Sequence, residues 1–256
     1  MPGLRVETPV DGVALVSLDR PERLNALDDE LLEHALADGF TSLRDDPAVR
    51  VIVITGKGRG FSSGADLECS GFQQPSSTAA EEHVRHTHRT PVILRKIGKP
   101  TIAAVNGVAI GAGLGLALAC DLRLAAPTAR FGAPFVAMGL VPDYGVSYFL
   151  PRVVGTATAL DMLLTGRLVG AEEALKLGIV SRIEGDVVSA AVELATQIAV
   201  NPVHATATTR SNVYRSLELD IEAEILEQEP RAQALALFGP EFHERFAEYT
   251  EKIMSS

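Results

Sequence analysis

"KPTIAAVNGVAIGAGLGLALACDLRLAA", residues 99–126, decides the fold. Thr101 to Cys120 carry no charge, and the run is long enough to span a membrane. However, Asn106, Gly107, Gly111, Gly113 and Gly115 interrupt it, and Asp121 follows directly. The run therefore reads as a buried strand in TIAAVNG, a glycine turn, and a helix starting in GAGLGLALACD. LRLAAP reads as the next strand. No membrane span is expected.

The same alternation extends outward. GVALVSLDR (12–20) alternates as a strand, and VRVIVITG (49–56) is a continuous β-branched run ended by glycine. Between them Leu27, Leu31, Leu32, Leu36, Phe40 and Leu43 recur at helical spacing, with Asp28 placed to cap the first free amides. SGFQQPSSTAA (70–80) reads as a mobile segment. EEHVRHTHRTPVILRKIGK (81–99) reads as helical, with Pro91 starting, kinking or interrupting it. Helices are expected at 147–154, 156–164 and 171–177, a strand at 179–183, and helix through the last seventy residues. The whole is an α/β core, residues 1–195, followed by a helical region, 196–256.

A chain of 256 residues, 46% apolar and 22% charged, is ordinary for a globular protein. The net charge of −10 gives no bulk attraction to nucleic acid or an anionic membrane. Two cysteines, Cys69 and Cys120, are too few for a disulfide framework, and MPGLRVETPVDG has no apolar signal core. A cytoplasmic protein is expected.

Two glycine-led turns follow strands, FSSGAD (61–66) and AIGAG (109–113). Small residues there let a ligand approach the main chain. The first amides of a helix lack internal partners, and the helix dipole makes that end partly positive. Two such amides converging would hold developing negative charge on an oxygen. Neither turn is a nucleotide motif. A dinucleotide fingerprint needs glycine where Leu116 stands, and a P-loop needs Ser or Thr where Gly58 follows Lys57.

RPERLNAL (20–27), VIVITGKGRGFSSGADL (51–67), the 99–126 stretch, FGAPFVAMGLVPDYGVSYFLPRVVG (131–155) and LTGRLVGAEEALKLGIVSRI (164–183) follow one another in this order. On these motifs the chain resembles the crotonase superfamily of enoyl-CoA hydratases and isomerases. The resemblance covers about residues 4–250 and is most specific up to residue 183. It implies a spiral of ββα units with a C-terminal helical trimerisation region, and a homotrimer or dimer of trimers. It also implies an acyl-CoA substrate and no separate cofactor or metal. The family's oxyanion hole falls on the backbone N–H groups of Ala65 and Ala112. Arg23, Leu24, Ala26, Gly64, Asp66, Leu67, Gly111 and Phe135 fall on substrate-binding positions, with Asp66 mainly ordering its loop.

Hydratases of this superfamily carry two glutamates, at positions here held by Gly115 and Phe135. Neither can move a proton. Asp143, in GLVPDYGVSYF, stands instead where dienoyl-CoA isomerases and the isomerases of ring-modified phenylacetyl-CoA carry an aspartate. The usual second glycine of that motif is Val146 here. A thioester acidifies its α-carbon, so one carboxylate beside an oxyanion hole can remove a proton and return it elsewhere. An apolar setting from Phe135, Met138, Val141, Pro142 and Tyr144 would make Asp143 a better base. The competing role for Asp143 is capping the helix that begins near Tyr144.

Other groups carry less. His83, His86 and His88 lack a metal-binding motif and a clear carboxylate partner, and read as a solvated helix face. Ser62, Ser63 and the cysteines have no activating context. Arg23, Lys57 and Arg59 suit either CoA phosphates or a plain charged surface. Phe135, Tyr144, Tyr148 and Phe149 suit either an acyl pocket or the core. The expected activity is a double-bond isomerisation of an acyl-CoA with Asp143 as proton shuttle. A weak hydratase and a non-catalytic acyl-CoA binder are the alternatives.

Overall fold

The computed structural model describes residues 3–254. β1 (Leu4–Val10) and β2 (Val13–Leu18) pair antiparallel. A π turn at Leu31–Ala35 leads into α1 (Leu36–Asp45), then β3 (Val51–Gly56) and β4 (Gly60–Ser62). α2 (Ser77–Thr87) and α3 (Arg89–Lys96) precede β5 (Thr101–Val105), β6 (Val108–Ile110) and α4 (Ala112–Ala119). The next turn is β7 (Leu122–Ala125), β8 (Arg130–Gly132), α5 (Val146–Val154) and α6 (Thr156–Thr165). β9 (Val169–Gly170), α7 (Ala171–Lys176), β10 (Arg182–Ile183) and α8 (Val187–Ala199) complete the spiral.

From β3 to β8 each turn sends its first strand to one sheet and its second to the other. The six-stranded sheet runs β1-β2-β3-β5-β7-β10, and the four-stranded sheet runs β4-β6-β8-β9. β2, β3, β5, β7 and β10 pair in parallel, with Ile54 opposite Ala103 and Val105 opposite Ala125. β3 and β5 are buried along their whole length. That is why their sequences are continuous apolar runs rather than alternating ones. α1 adds Leu36, Phe40 and Leu43 to the core, and every residue of α4 is buried.

Two asparagines sew the spiral together. Asn25, fully buried at φ 56°, donates to the carbonyls of Lys57 and Gly60 at 2.9 and 2.7 Å, and its Oδ1 accepts from Arg20 N–H at 2.9 Å. Asn106 donates to the carbonyls of Gly56 and Gly58 and accepts from Gly56 N–H. Both satisfy main-chain groups of the Gly56–Gly60 turn that no strand partner reaches.

Several local expectations are corrected. The 81–99 stretch is two helices, with the boundary at His88 (φ −75°, ψ 4°). Pro91 sits in the first turn of α3, where a missing N–H costs nothing. Residues 70–80 are not featureless. Ser70–Gln73 form a 3-10 turn, and α2 begins at Ser77, capped by the Ser76 hydroxyl accepting from Ala79 N–H. The strand at 179–183 shrinks to Arg182–Ile183, because Ile179 and Val180 turn into the core. Asp28 caps its helix, accepting from Leu31 N–H at 3.0 Å.

The chain divides into two compact units, one through Gln197 and one from Ile198. The second contains α9 (Val203–Ser216), a π segment at Ala223–Gln228, α10 (Glu229–Leu237) and α11 (Pro240–Met254). Replacing Asn25 removes three hydrogen bonds and strands buried main-chain groups. Asn25→Ala is expected to cost about 3 kcal/mol in urea unfolding.

Candidate active site

The turns after β4 and β6 interlock main chain to main chain. A Cβ at Gly64 (φ 96°) would lie 2.7 Å from the Ile110 carbonyl oxygen, and one at Gly113 would lie 2.5 Å from the Ser62 carbonyl oxygen. Only glycine permits either approach. The interlock brings Ala65 and Ala112 to one wall of a cavity of about 500 Å³.

The protein's own hydrogen bonds leave these two amides available. Leu27 N–H binds the Gly64 carbonyl and Asp66 N–H binds the Leu27 carbonyl, both at 2.8 Å, which holds the strand bridge around Ala65. Among the described residues the N–H groups of Ala65 and Ala112 have no protein acceptor. Ala112 is the first residue of α4, so the positive end of a buried helix backs it.

Arg23, Ala26, Gly64, Asp66, Leu67, Gly111, Phe135 and Asp143 line the same cavity. Phe72, Met138 and Leu140 add apolar surface. Leu24 lies off the lining. Its carbonyl accepts Ser63 N–H, so it shapes the loop rather than the wall. Tyr144 and Phe149 are core, and Tyr148 packs beneath the Arg152 guanidinium, so none of the three lines the cavity.

Three carboxylates line the cavity, and their partners separate them. Glu68 pairs with Arg23. Asp66 binds Arg20 at 3.1 Å, accepts from Glu68 N–H, and lies 3.7 Å from Arg23. Burial pushes the Asp66 carboxyl up, but the Glu68 N–H and the two guanidiniums outweigh it and hold it below the usual carboxylate range. Asp143 has no arginine or lysine partner among the described residues. Its Oδ2 lies 3.7 Å from His88 Nε2, and its side chain is 42% exposed. The expected apolar enclosure is therefore partial: Tyr144 and Phe135 are buried, whereas Val141 stands in solvent. Asp143 does not cap α5 with its side chain; its backbone carbonyl accepts Val146 N–H instead.

His88 is the residue that sequence reasoning missed. The local sequence reads as a solvated helix face. In the fold it ends α2, accepts Tyr144 N–H on Nε2 at 3.3 Å, and stands edge-on to the Tyr144 ring. That bond places the proton of the neutral imidazole on Nδ1. Burial pushes the Tyr144 phenol far up, so it stays neutral. The available signal was Pro91, which marks a helix break close to this histidine.

The two positions without glutamate are filled. A Cβ at Gly115 would lie 2.3 Å from the Tyr144 carbonyl oxygen. The buried Phe135 ring lies against Gly111. Tyr144 itself holds φ at 48°, a left-handed conformation, so the main chain carrying Asp143 presses directly on α4.

The family model that matches residues 9–255 is described as enoyl-CoA hydratase/isomerase. The chain belongs to this family. It is similar to 4-chlorobenzoyl coenzyme A dehalogenase-1 of Arthrobacter sp, 36% identical over 96% of this chain and 90% of that one. Among solved structures it is similar to an enoyl-CoA hydratase from Bacillus anthracis, with TM-score 0.91, 28% identity, and 98% and 96% of the two chains covered. A monofunctional enoyl CoA isomerase from M. smegmatis matches with TM-score 0.74 and 37% identity, over 88% and 99% of the two chains. The crotonase fold expected from the sequence is thus shown, and the enoyl-CoA hydratase/isomerase family member is an acyl-CoA-processing enzyme.

Two outcomes follow from this geometry. Asp66 is depressed below its unfolded pKa of about 3.9, so its stabilisation exists above that pH and is lost as pH falls through the folded value. Asp66→Asn is expected to lose about 1–3 kcal/mol in urea unfolding at pH 7, with the gap closing as pH falls through the depressed pKa of the folded state. Gly115→Ala forces the Tyr144 carbonyl away and is expected to destabilise by about 2 kcal/mol, read as a lower thermal midpoint.

Proposed function

We propose that this enzyme is an acyl-CoA isomerase that shifts a carbon–carbon double bond through an enolate. The observation that carries this reading is Asp143. Among the described residues it is the lining carboxylate with no arginine or lysine partner, on the wall shared with two unspent amides. The thioester oxygen sits between the N–H groups of Ala65 and Ala112, which stabilise it as it gains charge. Asp143 takes a proton from one carbon of the conjugated system and returns it to another. The His88 ring, held by Tyr144 N–H, stands beside the carboxylate, with Nε2 3.7 Å from Asp143 Oδ2.

The filled glutamate positions favour this reading over hydration. Water addition by the two-carboxylate route needs acids where Gly115 meets main chain and Phe135 packs as a ring. Arg23 reaches CoA phosphates only by exchanging its Glu68 partner, while Arg59 is exposed at the neighbouring turn.

A second reading rests on the His88–Asp143 pair together with the dehalogenase relative. Used as a nucleophile rather than a base, Asp143 would displace halide from a halogenated aryl thioester, with the same amides taking the charge.

The C-terminal unit supports self-association. Val213, Ile221, Leu226, Leu235, Phe238 and Phe246 are all exposed there, more apolar surface than an isolated helical unit normally leaves in water. We infer a homotrimer or dimer of trimers. No helix of the described residues is long and apolar enough to cross a membrane. Cys69 and Cys120 are buried and form no disulfide, in keeping with a cytoplasmic enzyme.

The deciding experiment incubates a 3-enoyl-CoA with the enzyme in deuterated water, and follows products by NMR and mass spectrometry. Formation of the 2-enoyl product with deuterium incorporation is expected, falling at least about 100-fold in Asp143→Asn. Retained turnover in that variant removes Asp143 from the mechanism. Net hydration identifies a hydratase. Halide release from 4-chlorobenzoyl-CoA selects the second reading. Thioester binding without turnover of either substrate identifies a non-catalytic binder.

A further inference from the structure

The histidines around α2 part company in the fold. His88 faces Asp143, whereas His83 and His86 face the start of the helix that leads into α1. His83 Nδ1 lies 3.2 Å from Glu33 Oε1. The Asp29 carboxylate completes a set of three ligand atoms, all within 4.8 Å of one another. His86 Nε2 stands 3.0 Å from the Glu33 carbonyl oxygen, and His34 Nε2 lies 3.8 Å from Glu33 Oε2. None of these residues lines the acyl-CoA cavity.

We infer that Asp29, Glu33 and His83 form a binding site for a divalent transition-metal ion. A tetrahedral zinc ion with bonds of about 2.1 Å places its ligand atoms roughly 3.4 Å apart. The Glu33–His83 separation already matches, and small side-chain rotations bring Asp29 in. An imidazole with two carboxylates suits Zn²⁺ rather than Mg²⁺ or Ca²⁺, which take oxygen ligands. Two carboxylates and a neutral imidazole also cancel the ion's charge. The side chains of His83 and Glu33 are 13% and 29% exposed, so the site is sheltered yet open to an incoming ion and a water ligand.

The surroundings are those of a held ligand set. His86 fixes the main chain at Glu33, whereas His34, 3.8 Å from Glu33 Oε2, makes no hydrogen bond to it. Glu33 itself lies within the π turn at Leu31–Ala35, an irregularity often found at functional positions. The bound ion clamps this turn to α2, the helix that ends immediately before His88. The carboxylate partners that the local sequence around the histidines lacked come from a distant segment of the chain.

The test uses the full chain without an added histidine tag, stripped with EDTA, dialysed, and titrated with ZnCl₂ by calorimetry. One Zn²⁺ per chain is expected, with a raised thermal midpoint. His83→Gln and Glu33→Gln should each weaken binding by at least about tenfold, while His34→Gln changes it by less than about twofold. CoCl₂ should give visible absorption bands that His83→Gln removes. Circular dichroism checks that each variant folds, and Asp29→Asn gives the same reading should either of the first two fail. Absence of saturable binding at millimolar Zn²⁺, equal binding in His83→Gln, or equal loss in His34→Gln would overturn the assignment.

Discussion

The contact on which the rest of the site depends is the reciprocal seating of two glycines against two carbonyls. Gly64 lies on Ile110, and Gly113 lies on Ser62. A methyl group at either place would push the turns apart. Because they touch, the amides after them emerge on one cavity wall rather than on separate loops. The parallel pairing of β4 with β6 sets the approach, and the Leu27–Ala65 bridge fixes the outer turn from the other side. Asn25 and Asn106 keep the preceding Gly56–Gly60 turn satisfied, so the strands feeding the site end at defined positions. Rigid elements therefore hold the amides, which suits groups that must already be in place when charge develops.

A second constraint decides which carboxylate reaches the cavity wall. α4 presents Gly115 to the Tyr144 carbonyl, and Tyr144 adopts a left-handed backbone to reach it. A longer side chain on α4 and this path of the 142–145 segment exclude each other. The bare Gly115 on α4 and the placement of Asp143 on the incoming segment thus belong to one packing arrangement. The same path offers Tyr144 N–H to His88, which brings an imidazole to the carboxylate from a separate helix.

Much of this was legible in the residues. The strand–turn–helix grammar of 99–126, the glycine turns and the aspartate after Pro142 all lie in short local patterns, where periodicity and turn chemistry speak directly. The helix break beside Pro91 was half legible, since proline marks an interruption without giving its exact side. Other features were hidden because they arise between distant segments. His88 and Asp143 meet across the fold, as do His83 and Glu33, and nothing local to any of the four announces a partner. Ile179 and Val180 read as strand residues, yet turning them into the core satisfied them better than lengthening β10.

By itself the sequence determined the family, the alternation of strand and helix, the absence of the two glutamates, and the presence of Asp143 after Pro142. Each depends on residue type and near-neighbour spacing. Tertiary structure alone decided which carboxylate stays unneutralised, since that depends on where Arg20 and Arg23 fold. It also decided why glutamate has no room at Gly115, and which histidine joins Asp143. Those are questions of distance between remote parts of the chain, and distance exists only once the chain has packed.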